Sequence, residues 1–273
     1  MGVRAYSFGQ DGINETFARH VGMCYILFIM LGHSDRKNLP RLFVPQNLVF
    51  EGTCDLSENQ IHYLRNVLRF QSGAQILIFN GRDGEWLADL TDLGKKRGTV
   101  KPLRQMRPQT SSPDILAAFA PVKKTRLDFM IEKATELGAS KLIPVLTERC
   151  IVSRVNTERM TAQAVEAAEQ CARMDVPDIS EPTTLPALLE KWDKNRILIV
   201  CAERGDSVLF RAAVQRAQNK PVAVLTGPEG GFTDAELDLL AAQKFTVMAD
   251  LGPRILRAET ALIAALSGLL LLN

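Results

Sequence analysis

Two short segments hold residue types whose spacing could do chemistry. Leu225-Thr226-Gly227-Pro228-Glu229-Gly230-Gly231 puts three glycines within five residues directly after an apolar run. Glycine there permits positive φ and a close approach of the backbone to a ligand. Thr233-Asp-Ala-Glu236 follows as a capping box that starts a helix. The loop is not a P-loop, since Gly-Lys-Ser/Thr is missing, and no Gly-x-Gly-x-x-Gly occurs in the chain. Pro228 removes one amide and Glu229 adds a negative charge, so a phosphate would be poorly served. Taken alone, such a loop is also what an ordinary tight turn with a helix cap looks like. The second segment, Leu251-Gly252-Pro253-Arg254-Ile255-Leu256-Arg257-Ala258-Glu259-Thr260, joins a turn to two arginines and a Glu-Thr pair at a helix start. Its arginines are either plain surface charges or complements to Glu229 and Glu259. Two such loops lining one pocket would offer amides and carbonyls, suited to a neutral or cationic ligand with an adenine edge.

The rest of the composition narrows the chemistry. His20, His33 and His62 are the only histidines, so everything after position 62 works without imidazole. That excludes a Ser-His-Asp triad or a His-ligated metal confined to that stretch. Cys24, Cys54, Cys150, Cys171 and Cys201 are odd in number and never spaced Cys-x-x-Cys. No metal site and no secreted disulfide framework is expected, and a reducing cytoplasmic home is.

The elements that must position these loops fall into two patterns. From 39 to 110, short runs such as Arg41–Val44, Ala74–Phe79 and Glu85–Leu90 read as strands, with turn signals at Asn80-Gly81 and Gly94–Gly98. A capping box at Ser57 opens one helix, Asn59 to Phe70. The expectation is a small β-barrel or half-barrel, ended by the polar linker Gln109–Pro113. From 111 to 273, apolar strands alternate with helical patterns: Ile115–Ala120, Leu142–Leu146, Arg196–Cys201, Val222–Leu225 and Thr246–Leu251. That alternation predicts an α/β domain with a parallel sheet covered on both faces, its ligand outside the carboxyl ends of the strands. The second loop follows the very next strand, so both loops should leave the same edge. Thr157–Met174 reads as a long helix. The closing helix, Thr260 to Leu272, is apolar nearly all round and suits either a core position or a second subunit.

Residues 1–38 read as an extension, with the native start nearer Met30. Its apolar run Val21–Leu31 has eleven residues, short of the roughly 20 a membrane span needs. No cleavage site follows it, which argues against secretion and for no membrane association. Residues 39–110 hold 10 Lys+Arg against 7 Asp+Glu, whereas 115–273 hold 19 against 20. The excess centres on Lys95, Lys96, Arg97, Lys101, Arg104 and Arg107, either a solvated strand pair or a phosphate-contacting face.

The paired loops, Leu225–Gly231 with Leu251–Thr260, resemble the signature of the RsmE-type 16S ribosomal RNA (uridine-N3) methyltransferases of the SPOUT superfamily. Pro40–Val44, His62-Tyr-Leu-Arg-Asn-Val-Leu-Arg69, Lys133–Gly138, Glu148-Arg149-Cys150 and Glu169–Arg173 match as well. The resemblance covers 39–273. It implies a trefoil-knotted C-terminal SPOUT domain after a PUA-like domain that docks RNA. It further implies a homodimer with no metal, methylating N3 of a uridine in the decoding region of 16S rRNA within the small ribosomal subunit. S-adenosylmethionine would be held bent by Leu225, Thr226, Gly227, Pro228, Glu229, Gly230, Gly231, Leu251, Gly252, Ile255, Leu256 and Thr260.

Uracil N3 carries a proton and is a poor nucleophile, so the site must favour the uracil anion or supply a base. Without histidine, Arg257 is the expected electrostatic stabiliser and Glu259 the candidate base. Lys95, Lys96, Arg97, Arg149 and Arg173 are the expected RNA contacts. The alternatives are a different acceptor, such as a ribose 2′-hydroxyl, and a non-catalytic RNA-binding assembly factor.

Overall fold

Two sheets lie on either side of the polar stretch 109–113. The structure is a computed structural model that describes residues 39–202 and 207–272; Arg41–Asn273 form one compact unit. The apolar run 21–31 and the proposed extension lie outside the described residues.

The first sheet contains β1 (Arg41–Phe43), β2 (Cys54–Asp55), β3 (Gln75–Phe79), β4 (Glu85–Leu93) and β5 (Gly98–Arg107) in the order β1-β3-β4-β5-β2. β1 runs parallel to β3 and the other pairs are antiparallel. Leu42, Leu64, Ile76, Ile78, Leu90 and Val100 fill its core. The hairpin β4–β5 is longer than its sequence signal because cross-strand pairing, with bulges, continues through polar positions such as Lys101 and Arg104. The capping box is present: Gln60 N–H donates to Ser57 Oγ at 3.3 Å and Ser57 N–H to Gln60 Oε1 at 3.0 Å. The helix it opens, α1 (Glu58–His62), does not continue to Phe70. It widens into a π-helical turn over Tyr63–Val67, where Leu68 N–H reaches back to Tyr63 O at 3.0 Å. Arg69 at φ 57° then ends it. The apolar positions Ile61, Leu64 and Leu68 also fit a regular helix, so periodicity does not reveal the widened turn.

The second sheet takes β6 (Ile115–Phe119), β7 (Lys141–Leu146), β8 (Asp178–Ile179), β9 (Thr183–Thr184), β10 (Ile197–Cys201), β11 (Val208–Leu209), β12 (Val222–Thr226) and β13 (Thr246–Asp250). Their order is β11-β13-β10-β12-β6-β7-β8, with β9 also on β7, and every pairing is parallel. The apolar strands serve both faces by alternation. Ile197 and Ile199 point into one core and Leu198 and Val200 into the other, as Val222 and Val224 oppose Ala223 and Leu225. The helices are α2 (Lys124–Glu136), α3 (Thr157–Gln170), α4 (Leu185–Glu190), α5 (Phe210–Arg216), α6 (Asp234–Ala241) and α7 (Ala258–Leu272). α3 stops four residues before the expected Met174, because the chain turns through Ala172 at φ 61°. α7 is a core helix on one side, burying Leu262, Leu266 and Leu269, yet Leu271 is 83% exposed and Leu270 and Leu272 are also uncovered.

The last turn of α3 meets β1, where Phe43 N–H donates to Glu169 Oε1 at 2.9 Å. Burial pushes the Glu169 carboxyl up to about 7; Phe43 N–H and Arg41 oppose the shift and Glu166 adds to it. A carboxyl raised in the folded state binds its proton more tightly there, so this contribution is complete below the unfolded value near 4.5 and fades as pH rises through 7. Glu169→Gln keeps the acceptor for Phe43. It should raise the denaturant midpoint at pH 8 by about 1 kcal/mol equivalent after solvent screening. At pH 4.5 it should change nothing.

Candidate active site

A cavity of about 280 Å³ opens at the carboxyl edge of the second sheet. Gly227, Pro228, Glu229 and Gly231 form one wall and Leu251, Gly252, Ile255 and Leu256 the other. The two loops are consecutive in sequence but not neighbours in the sheet. β10 runs between β12 and β13, so its last residue, Cys201, and the following Ala202 lie between the loops and line the cavity. Start residues of α7, Ala258 and Ala261, close the far side.

Local chemistry fixes both walls. The Phe232 ring lies against Gly227, where a Cβ would come within 2.9 Å of it. Gly252 sits at φ 116°, a backbone region closed to other residues, and its N–H donates to Asp250 Oδ1 at 2.7 Å. Thr233 and Glu236 form the second capping box, and Glu236 Oε1 also accepts the Glu148 N–H at 2.9 Å. Arg149 Nη1 donates to Gly230 O at 3.0 Å and Phe232 O at 3.2 Å, so the segment after β7 holds the first loop in place. Burial pushes the Cys201 thiol up to about 12, which keeps it protonated and a weak nucleophile. Among the described residues, no three His, Cys, Asp or Glu side chains gather as metal ligands, and no helix is long and apolar enough to cross a membrane.

Residues 110–270 match an RNA methyltransferase domain and residues 56–103 an RNA methyltransferase PUA domain. Ribosomal RNA small subunit methyltransferase E of Rickettsia conorii is 35% identical over 234 residues, which is 85% of this chain and 96% of that protein. The chain belongs to this family. The Synechocystis member is 36% identical over 83% of this chain and 76% of its own length. The Neisseria gonorrhoeae member, solved bound to S-adenosyl methionine, superposes with a TM-score of 0.77 at 30% identity, over 86% of this chain and 98% of its own. Membership makes the chain an RNA methyltransferase with a PUA-like first sheet and a SPOUT-type α/β second sheet.

Against this family frame, the residues named from sequence divide. Leu225 and Thr226 are fully buried in β12 beneath the cavity. Gly230 faces Arg149 instead of the cavity, and Thr260 is an exposed residue of α7 that does not line it. Arg257 is exposed one residue before α7, its side chain free of any hydrogen bond or ion pair to a described residue. The Glu259 side chain is 12% exposed, is turned toward α2 instead of lining the cavity, and has Oε2 buried without a partner.

Arg126, which sequence reasoning passed over, explains that direction. It projects from α2, with Nη1 3.1 Å from Glu229 Oε1 and Nε 3.8 Å from Glu259 Oε1, and so ties the two loops together. Arg126 stands in the sequence as one more basic residue of a helical pattern. Cys201 and Ala202 had a usable signal, since they end an apolar strand.

Lys95, Lys96 and Arg97 are exposed on the β4–β5 turn. Lys101 and Arg107 are not free: Lys101 pairs with Glu51 and Arg107 with Glu85. Arg173 requires a correction. Its side chain is 7% exposed and committed, Nε to Asp175 at 2.7 Å and Nη1 to Thr135 O at 2.9 Å. It braces the chain after α3 and is buried instead of being presented to RNA; Asp175 is two residues on, but the Thr135 carbonyl, 38 positions away, is a partner that the sequence does not show.

Proposed function

We propose that this chain transfers the methyl group of S-adenosylmethionine to N3 of a uridine in the decoding region of 16S rRNA, acting on the small ribosomal subunit in the cytoplasm as a homodimer. The observation that carries the reading is the cavity itself. Two glycine-bearing loops and a strand end enclose a space whose lining is mostly glycine and apolar residues, with Glu229 and Asp250 as its acidic side chains. The residues fit the cofactor on that chemistry. Backbone at Gly231 and Gly252 allows a ligand to approach where a Cβ would stand. Leu251, Leu256 and Ala258 suit an adenine face, and the two carboxylates complement a sulfonium and an ammonium. When bound, the cofactor supplies an electrophilic methyl.

The chain's own residues must handle the acceptor. Arg257, unpaired and exposed just before α7, is free to stabilise negative charge on uracil O2 or O4 while the N3 proton passes to solvent water. Glu259, turned toward Arg126, positions that arginine and with it the first loop; as a base it would have to rotate. Arg126 in turn holds Glu229 at the cavity rim.

On the first sheet, Arg65, Arg69, Lys95, Lys96, Arg97 and Arg104 have side chains free of described partners. A cleft between α1 and the β4–β5 turn is lined by Glu58, Ile61, His62, Arg65, Asn66 and Lys95, and an adjoining one includes Arg65 and Arg69. This concentration of unpaired cations supports phosphate docking there. Replacing Lys95, Lys96 and Arg97 by alanine should weaken small-subunit RNA binding about tenfold or more at low salt. The slope of log K against log salt should flatten by about 2. An unchanged slope in filter-binding titrations would demote the turn to ordinary exposed charge.

Uncovered Leu270, Leu271 and Leu272 on α7, with Ile255 94% exposed beside the cavity, support the homodimer. The strand order, with β13 lying beyond β10 and not beside β12, supports a trefoil knot. The deciding test is methyl transfer to purified small subunits, followed by nucleoside mass spectrometry and mapping. 3-Methyluridine at one site is expected. A 2′-O-methylated nucleoside would move the acceptor, and no transfer with RNA binding intact would leave only an assembly factor.

A further inference from the structure

Helix α3 ends with a need it does not meet itself. The last carbonyls of a helix lack intrahelical partners, and α3 has no basic residue in its last turn. The donors come from the first sheet, Arg41 at least 127 residues away in sequence and Arg107 65 residues away. Arg41 of β1 donates through Nη1 to Ala168 O at 2.7 Å and Glu169 O at 2.9 Å, and through Nη2 to Arg173 O at 2.9 Å. Arg107 of β5 donates through Nη2 to Ala172 O at 2.9 Å. Between the two guanidiniums lies Glu85 of β4, its side chain 2% exposed. Glu85 accepts from Arg41 Nε at 2.7 Å and from Arg107 Nε and Nη2 at 2.9 and 2.7 Å. The Phe79 ring lies under Arg41, 4.5 Å from its guanidinium carbon.

Buried ion clusters are poor sources of net stability, because desolvation consumes most of the attraction. Their directional bonds fix geometry instead. We infer that Arg41, Glu85 and Arg107 form a clasp that sets the RNA-docking sheet at one orientation to the methyl-transfer cavity, which makes them positioning residues for the reaction. α3 carries that orientation inward. Its 14 residues span about 21 Å, and the segment entering its other end contains Arg149, which grips the first loop. In the first turn of α3, Arg159 pairs with Asp128 of α2, the helix that also presents Arg126 to Glu229 and Glu259. An RNA held on the first sheet is thereby registered against both loops through two braced helices.

This inference rests on the cavity being the methyl-transfer site and the first sheet the RNA dock. Its test uses the full chain carrying Arg107→Ala, Arg107→Lys or Glu85→Gln. Arg107 is 28% exposed in its side chain, so its variants keep the test decisive if the Glu85 variant fails to fold. With Arg107→Ala, kcat for small subunits should fall at least tenfold, while KM and the Kd for S-adenosylmethionine stay within twofold. Cleavage within 108–114 by a non-specific protease should quicken at least tenfold, and Arg107→Lys should fall between. A rise in KM with kcat unchanged would make Arg107 an RNA contact instead. A parallel loss of cofactor affinity and melting temperature would make the cluster merely structural, and unchanged kcat would also overturn the clasp. If the unmodified chain methylates no subunits, the functional reading fails, and the protease comparison still judges the clasp.

Discussion

Replacing Gly252 by valine should weaken S-adenosylmethionine binding at least a hundredfold, about 2.7 kcal/mol, while leaving the fold standing. Gly252 holds φ 116° with no atom within 4 Å of where its Cβ would be, so the obstacle is backbone conformation and not crowding. A β-branched residue would force the turn into another region. The Asp250 bond at 2.7 Å would break, and Leu251 and Leu256, which line the same wall, would shift with it. The site is a loop at the sheet edge, outside both cores of the second sheet, so the melting temperature should drop by only a few degrees. Calorimetry with the cofactor and a thermal melt on the same sample separate the two effects. Retention of full affinity would remove the second loop from the binding site.

The second large effect concerns the acceptor. Arg257→Ala should slow single-turnover methylation of small subunits by about 10²–10³, the usual loss for one stabilising donor of a developing anion. Cofactor affinity should move less than twofold, because Arg257 does not line the cavity. The variant should be as stable as the parent, since the side chain is exposed and makes no bond that folding depends on. Equal losses in rate and cofactor affinity would reassign Arg257 to cofactor binding. Arg257→Lys should recover part of the rate, as a point charge without the planar fork.

The contrast between these two residues and Arg126 marks where sequence reasoning reached its limit. Gly252 and Arg257 lie in a segment whose composition is odd in itself: a turn and two arginines leading into a helix that is apolar nearly all round after its first turn. Arg126 lies in an ordinary amphipathic pattern, and its function comes from facing Glu229 and Glu259, 103 and 133 positions away. Arg173 failed for the complementary reason. It was expected as an RNA contact from the matched stretch Glu169–Arg173, but Asp175 and the Thr135 carbonyl hold its guanidinium in a buried position. The π-helical turn after α1 was hidden because apolar spacing alone does not separate it from a regular helix.

By itself the sequence determined the alternation of apolar strands and helices, both capping boxes, the glycine loops and the absence of imidazole beyond position 62. These are local properties, set by side-chain period, turn chemistry and residue type within a few positions. Tertiary structure alone decided that β10 runs between β12 and β13, that Cys201 and Ala202 therefore join the cavity, and that Arg41 of the first sheet caps α3 while Arg107 holds the turn beyond it. Strand order and ion-pair partners depend on contacts between residues far apart in the chain. No local period or propensity encodes which of many compatible partners each element meets.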